Sequence, residues 1–563
     1  MDLIQRKTID KTVERFIQKA AVEGVDLVWD RYEGQVPECG FCESGLSCRD
    51  CLQGPCISHP FKGDINKVGI CGKDKHILAA HTLLRMVIKG TMACLDQASD
   101  IAADAGGDSE KAVSSLFSGF DASNIPGMPA SVLETWKSAG VVPEGVVRDV
   151  IKASQKLEGG VTTVEETLLW TFKCALLGYA ASVLKGEAKK SLFGEFKPEV
   201  VPTDIGALDP EKPNLLMYGE FSAALKAKIA AACARGGVGV YAVASEPVPG
   251  ETVVPLLTNH ASQEVPVMTG AVDLIVAGDQ FVNPSLSSLA TQWNVPIISV
   301  QSLKSGPDAE AFAVSVVEKT KDSKRIRASF TRDVPGSEKQ ASMGYCAANL
   351  DMKKIVDSIE KGDVKGIVAF AGYDNTKLSQ DLELTTMAGI FLEYGILCIA
   401  EGDASVALSK YGYLTAGGDI SCADGVKATL EALGTPAVID VSAYGIGDFL
   451  CGLAEAAGKS LSDLPVAAVF AEASRSVDVM KAMAMTAMGV DTYFWPFLPV
   501  TGSDDVVKAL GEFCKATFGG QLHVITRKIE GRVKGAMIVK VLTGEEGPDV
   551  SGNPWYSKIG AEL

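Results

Sequence analysis

No uninterrupted apolar run in this sequence reaches the roughly 18–20 residues that a membrane-spanning helix needs. The nearest, Thr167 to Leu184, is broken by Lys173 and reads as a buried helix. Positive charge is also short: 53 Lys and Arg stand against 70 Asp and Glu, a net charge of −17. That balance repels phosphate backbones and anionic lipid, so neither nucleic acid nor a membrane is expected as a partner. The first residues carry Asp2, Arg6, Lys7, Asp10, Lys11, Glu14 and Arg15, which leaves no apolar core for a signal peptide; a cytoplasmic location is expected. No Walker A sequence, internal repeat or low-complexity tract occurs. Tyr444-Gly-Ile-Gly447 comes nearest to a dinucleotide fingerprint, but it lacks the third glycine and reads as a strand-to-helix turn.

The chain has 563 residues, more than one hydrophobic core supports, so two to four domains are expected. Residues 1–212 read as a helical domain, with a first helix ending near Val28 and helical periodicity at Lys75–Lys89 and Val164–Lys185. Lys185 to Asn214, rich in lysine, proline and acids, reads as a linker. Short apolar runs then alternate with helical stretches, at Asn214–Tyr218, Val238–Val243, Asp273–Ala277 and Pro296–Val300. After a polar interruption, Lys304 to Gln340, they resume at Gly366–Ala371, Ile396–Glu401, Pro436–Val441, Pro465–Ala471 and Gln521–Thr526. This alternation predicts an α/β protein with two doubly wound, Rossmann-like domains, 213–360 and 361–563.

Fourteen cysteines in a reducing compartment point to ligands or buried thiols rather than disulfides. Six lie between Cys39 and Cys71; the other eight are scattered. Cys48, Cys51, Cys56 and Cys71 have the spacing C-x2-C-x4-C-x14-C, in which a close trio can wrap one face of a cubane while a loop returns the fourth ligand. Gly45, Gly54 and Gly72 sit beside them, where bare backbone can approach the sulfides. Thiolates also select zinc, but zinc modules usually pair two short arms. Plain buried thiols seldom crowd six into so short a stretch. A [4Fe–4S] cluster is the reading favoured.

Trp29-Asp-Arg-Tyr-Glu33, Pro37-Glu-Cys39-Gly-Phe41, Gly45-Leu46, Cys48-Arg-Asp-Cys51, Gly54-Pro-Cys56, Gly69-Ile-Cys71-Gly72 and Leu84-Arg-Met-Val-Ile-Lys-Gly90 together resemble the N-terminal region of anaerobic nickel carbon monoxide dehydrogenases. The likeness continues through Ser262-Gln-Glu264, Thr269-Gly-Ala-Val-Asp273, Lys365-Gly-Ile-Val368 and Val500-Thr-Gly-Ser503. It implies a homodimer with an electron-relaying [4Fe–4S] cluster on Cys48, Cys51, Cys56 and Cys71. It also implies a second cluster shared across the dimer axis, for which Cys39 and Cys42 resemble the variant that holds [2Fe–2S] rather than [4Fe–4S]; a plain loop thiol is the alternative for Cys42. The resemblance further implies a ferredoxin-like electron carrier. Arg49, Lys62, Lys67, Lys73 and Lys75 around the cysteines would attract an acidic carrier, unless they are only a solvated face.

The family's nickel–iron–sulfur catalyst, held by one histidine and five cysteines, finds few of its ligands here. By the same landmarks the histidine falls on Asn259, with His260 one residue late, and cysteines fall on Phe281, Asp403, Tyr444 and near Met483. No cysteine occurs between Cys233 and Cys346 to supply the remaining ligand, and the histidines that would relay protons are replaced by Cys94 and Gln97. Three readings follow. A re-sited iron–sulfur–oxygen cluster could use His260, Cys346, Asp403, Cys422 and Cys451, with Cys398 and Glu401 nearby in sequence, as in hybrid-cluster proteins that reduce hydroxylamine or nitric oxide. The chain could instead be an electron-transfer or scaffolding subunit whose old catalytic cavity is apolar, filled by Phe281, Tyr444 and Met483. Or it could be a carbon monoxide dehydrogenase with ligands placed elsewhere.

Overall fold

The computed structural model describes residues 6–59, 67–121, 125, 127–300, 307–372, 374–525 and 529–551. Helices Lys11–Glu23 and Val28–Glu33 open the chain. Phe16, Val13 and Trp29 pack into one apolar core with Leu216, Tyr218 and Tyr241 of the first parallel sheet, so these helices dress that sheet. The cysteine loop follows, with a two-residue antiparallel ladder of β1 (Ser47–Cys48) and β2 (Cys56–Ile57).

Two long helices, Lys75–Ala105 and Val164–Phe193, form the axis of the helical part. Asp74 accepts from the Ile77 amide (2.9 Å) and Thr163 from the Glu166 amide (3.1 Å), capping their N-termini. Both are long and apolar enough to cross a membrane, but most of the apolar window of each, 56% and 72%, is buried within the chain, as in the core helices of globular proteins.

Both helices overrun the periodicity seen in the sequence. The first continues past Gly90 because that glycine lies under helix Ser476–Ala487: a Cβ there would stand 2.4 Å from the Ser476 carbonyl oxygen and 2.8 Å from Met480 Cβ. Gly178 of the second helix meets the Met480 sulfur, 2.7 Å from a would-be Cβ. Lys185, half-buried, and Lys189, buried, read as the start of a linker in the sequence but are helical residues whose charges are met by Glu246. The rest of that stretch holds β3 (Glu199–Thr203).

The first parallel sheet has the order β5-β4-β6-β7, from β4 (Asn214–Tyr218), β5 (Gly239–Val243), β6 (Leu274–Ala277) and β7 (Ile297–Ser299). The polar interruption contains a helix, Pro307–Ile326, and then β8 (Lys339–Met343), which pairs antiparallel with β3; residues 304–306 lie outside the described residues. The second sheet comprises β9 (Gly366–Ala371), β10 (Ile396–Ala400), β11 (Val438–Asp440), β12 (Val466–Phe470), β13 (Asp491–Phe494) and β14 (Leu522–Val524). Its order is β11-β10-β9-β12-β13-β14, all parallel. β13 was not anticipated, because its four residues begin on Asp491 and lack the apolar run of its neighbours. The strand order reverses between β9 and β12, which opens a crevice at their carboxyl ends.

The close seat of Ser476–Ala487 on the two long helices is testable. Gly90→Ala would force backbone apart and is expected to cost about 1–3 kcal/mol, read as a lower urea midpoint at unchanged slope.

Candidate functional site

In the cysteine loop, Cys48 stands directly across from Cys56 in the β1–β2 ladder. Gly54 lies between the ligand segments: a Cβ would be 3.3 Å from the Cys48 oxygen and the Cys56 nitrogen, and 3.5 Å from the Cys51 oxygen. The Ile70 amide donates to the Cys56 sulfur (3.5 Å), which brings the turn carrying Cys71 alongside. That turn is closed by amide bonds from Gly72 to the Gly69 carbonyl and from Gly69 to the Lys73 carbonyl, both 2.8 Å. Asp50 anchors the loop to the long helix through Lys73 (3.0 Å) and Arg85. Burial would raise its pKa, but these two cations hold it below the ordinary carboxylate value. Burial pushes the Cys48 thiol up, whereas Cys51 and Cys71 are exposed.

Four thiols, two glycine-lined approaches and an amide aimed at sulfur suit a cubane. The donors are not gathered on a point: among the described residues no three His, Cys, Asp or Glu side chains are placed to hold a single ion. Cys39 and Cys42 are both exposed, and the Cys42 amide and thiol hydrogen-bond the Cys39 sulfur, lowering its pKa. Of the basic residues expected around the loop, Lys73 is tied to Asp50 and to the Leu157 carbonyl, and Lys75 faces Asp504 at 3.9 Å. Arg49 and Lys67 are exposed; Lys62 lies outside the described residues. The positive rim is thus thinner than the sequence implied, because local carboxylates neutralise part of it.

The second feature is a cavity of about 80 Å3 at the carboxyl ends of β9, β10, β11 and β12. Phe281, Asp403 and Tyr444, far apart in sequence, all line it. Phe281 holds φ +65°, a conformation that bulky residues seldom adopt. Met483 is fully buried but does not line the cavity; on its helix Val477, Asp478, Lys481 and Met485 do.

Nor is the cavity apolar. Lys481 pairs with Glu401 (2.5 Å), which also accepts from the Ile446 amide (2.9 Å) at the start of helix Ile446–Ala457. On the other side Lys185 pairs with Glu246 (2.8 Å) and donates to Gln97 (3.2 Å), and Lys189 reaches the second Glu246 oxygen (2.5 Å). Burial alone would raise the Glu246 pKa, but the two lysines hold it well below its ordinary value. These ion pairs span 57 to 80 residues of sequence, so no local motif announced them.

The residues considered for a re-sited cluster do not assemble. The His260 amide donates to Asp403 Oδ2 (2.7 Å), and its imidazole faces Gln263 (2.6 Å) and Arg475 (3.2 Å). Burial and Arg475 keep that ring neutral, far below its ordinary pKa. None of Cys346, Cys398, Cys422 and Cys451 lines the cavity. The Cys451 sulfur is 3.7 Å from the Tyr179 hydroxyl, Cys422 donates to the Ile420 carbonyl (3.6 Å), Cys398 is buried in β10, and the Cys346 amide is capped by Asn349 (2.9 Å).

Behind the cavity, Asn259 joins the two α/β layers. Its amide donates to Asp374 and Asp381, both at 2.7 Å, and its oxygen accepts from Gln380 (2.6 Å) and Lys410 (3.1 Å). Lys410 also pairs with Asp381 (2.7 Å) and with Asp10 (3.3 Å) from the N-terminal segment.

A bundle of long helices beside two parallel α/β sheets, with a thiol loop at one end and a crevice at strand ends, is the architecture of carbon monoxide dehydrogenases. The Prismane/CO dehydrogenase family model matches residues 46–117 and 123–526, and the chain belongs to that family. Carbon monoxide dehydrogenase 2 of Carboxydothermus hydrogenoformans is 26% identical, over 92% of this chain and 95% of its own length. The Rhodospirillum rubrum carbon monoxide dehydrogenase is 27% identical, over 92% and 95%. The solved structure of carbon monoxide dehydrogenase IV from Carboxydothermus hydrogenoformans superposes with a TM-score of 0.86 at 24% identity, covering 96% of this chain and 99% of that one. That of the Thermococcus sp. AM4 enzyme reaches 0.87 at 23%, covering 95% and 96%.

The acids around Asn259 make stability depend on pH. Burial and the neighbouring Asp381 raise the Asp374 pKa to about 7, and Lys410, Asp403 and Glu472 also face it. The folded chain keeps this proton to near neutrality, whereas an unfolded aspartate releases it near pH 4. This contribution is therefore full in acid, falls as pH rises between those values and is flat above them. Asp374→Asn is expected to remove that slope from urea midpoints measured between pH 5 and 8.

Proposed function

We propose that the chain is a homodimeric iron–sulfur redox protein on the carbon monoxide dehydrogenase scaffold that keeps its relay clusters and has lost the nickel–iron–sulfur catalyst. Cys48, Cys51, Cys56 and Cys71 hold a [4Fe–4S] cluster, and Cys39 and Cys42 supply one half of a [2Fe–2S] cluster shared with a second copy. The observation that carries this reading is the pair of opposite arrangements in one molecule. The loop keeps four thiols around bare glycine backbone, while Phe281, Asp403 and Tyr444 stand at the cavity with two sets of partly buried ion pairs. Phenylalanine cannot replace an anionic thiolate, and a cavity lined by a single cysteine, Cys94, offers a nickel–iron–sulfur cluster too few sulfur donors.

The clusters, when bound, supply one-electron transfer. The chain's part is to hold and present them. Asp50, clamped by Lys73 and Arg85, fixes the loop against the helix Lys75–Ala105. Leu52 and Ile70, beside Cys51 and Cys71, are 105% and 65% exposed, which suits burial against a partner. Arg49 and Lys67 favour an acidic, ferredoxin-like carrier at the same end. The activity is therefore electron transfer, in a cytoplasmic protein of one helical domain to residue 212 and two α/β domains meeting near 360. A re-sited cluster of the hybrid type draws no support from three separated cysteines.

Anaerobic purification with metal and sulfide counts tests this. About five irons per chain are expected, ~four from the cubane and ~one from half of the shared cluster, without nickel and without carbon monoxide-dependent dye reduction. Stoichiometric nickel, or zinc in place of iron, would overturn the reading. Cys48→Ser is expected to remove the cubane's spectroscopic signal, and Cys39→Ser to lose only the shared cluster.

A further inference from the structure

The Cys39–Cys42 turn is bracketed by acids. Glu38 precedes Cys39 and Glu43 follows Cys42; both thiols are exposed, whereas both glutamates are half-buried. One cation takes the two carboxylates. The Lys377 ammonium pairs with Glu38 and stands 3.4 Å from Glu43. It also lies 4.5 Å from the centre of the Phe497 ring, and its side chain is only 11% exposed. The second Glu38 oxygen accepts from the Tyr32 hydroxyl at 3.5 Å.

Lys377 reaches this turn from the segment between β9 and helix Leu382–Glu393. Its amide donates to Asn375 Oδ1 (3.0 Å), and Asn375 donates to the Ala473 carbonyl (2.7 Å), just past the end of β12. The ammonium is thus carried on backbone that is fixed to the second sheet. The cysteine turn has less to hold it. Its helix, Gly40–Glu43, is four residues long, too short to be stable by itself. Beyond it the Gly502 amide donates to the Ser44 carbonyl (2.9 Å), and Gly45 lies against Pro499. The clamp on Glu38 and Glu43 fixes the two ends of the stretch that carries the thiols.

We propose that Lys377 is a positioning residue for the shared cluster: it holds the turn that presents Cys39 and Cys42, and its charge offsets the two glutamates beside them. This rests on the reading above that the two cysteines supply half of that cluster. A thiolate-held cluster is anionic, and reduction adds a further negative charge, so nearby charges bear on its potential. Arg49, which is exposed, is another cation that faces Cys39, and it remains when Lys377 is replaced. Loss of Lys377 leaves two half-buried carboxylates uncompensated by the cation that now pairs with both, which strains the turn and disfavours reduction.

The test uses the full chain, purified anaerobically, with iron and sulfide counts, spectra of each cluster and a potentiometric titration of the shared cluster. Lys377→Met keeps the length of the side chain and removes its charge. It is expected to cut the shared cluster's iron, about one per chain, by about half or more while the cubane's iron and signal stay unchanged. The shared cluster that remains is expected to titrate at a lower potential. Lys377→Arg is expected to retain both occupancy and potential. Glu43→Gln removes one negative charge beside the cluster and leaves Lys377 paired with Glu38, so it is expected to raise the potential in a protein that melts as the parent does. A role in folding alone would not move the potential in opposite directions. Parental iron and potential in Lys377→Met, an equal loss of the cubane, a Lys377→Arg chain that behaves like Lys377→Met, or no rise in Glu43→Gln would each overturn the proposal. A parent chain with the cubane's iron alone, or with an iron count untouched by Cys39→Ser, would overturn the underlying reading together with it.

Discussion

The contact of helix Ser476–Ala487 with the two long helices sets the geometry of the molecule's interior. It is possible only because Gly90 and Gly178 offer bare backbone to Ser476 and Met480. Protein interiors are packed closely enough that one methyl group on either glycine would move the helix. That helix carries Lys481, and Lys481 meets Glu401 from the end of β10, so the helical part and the second sheet are keyed to one another through one close approach and one ion pair. The cavity is what remains between them.

Ion pairs line that space. A buried ion pair is seldom a large net source of stability, since desolvation offsets most of the attraction. Removing one partner is another matter, because the other charge is left in a medium that cannot solvate it. Lys185 and Lys189 with Glu246, and Lys481 with Glu401, therefore act chiefly as two separate constraints on the wall of the cavity. The network around Asn259 behaves similarly one layer behind. There, acids outnumber the lysine they face, and protons held on Asp374 and its neighbours keep the charge tolerable.

The cysteine loop and the cavity have different dependence on their surroundings. The loop's ladder, its turn from Gly69 to Lys73 and the contacts of Gly54 are local, while Asp50 ties it to the helix, Gly45 packs against Pro499, and Glu38 and Glu43 pair with Lys377. The cavity is assembled from both sheets and both long helices, so a few substitutions at its wall alter its chemistry without disturbing the loop.

The strand runs and the cysteine spacing were readable in advance because both are local. β4 to β7 and β9 to β12 are short apolar stretches between glycines and prolines, and C-x2-C-x4-C needs no partner from afar. The helical periodicity shows only as far as Lys89, and Lys185 reads as the start of a linker, because neighbours in sequence gave no sign of Ser476 or Glu246. β13 escaped notice because its place between β12 and β14 is defined by pairing and not by composition. Local order of residues determined that this chain has parallel α/β layers and a thiol loop. Tertiary structure alone decided that Phe281, Asp403 and Tyr444 share a wall and that the space beside them is ionic, since burial and charge pairing at that wall depend on residues brought together from opposite ends of the fold.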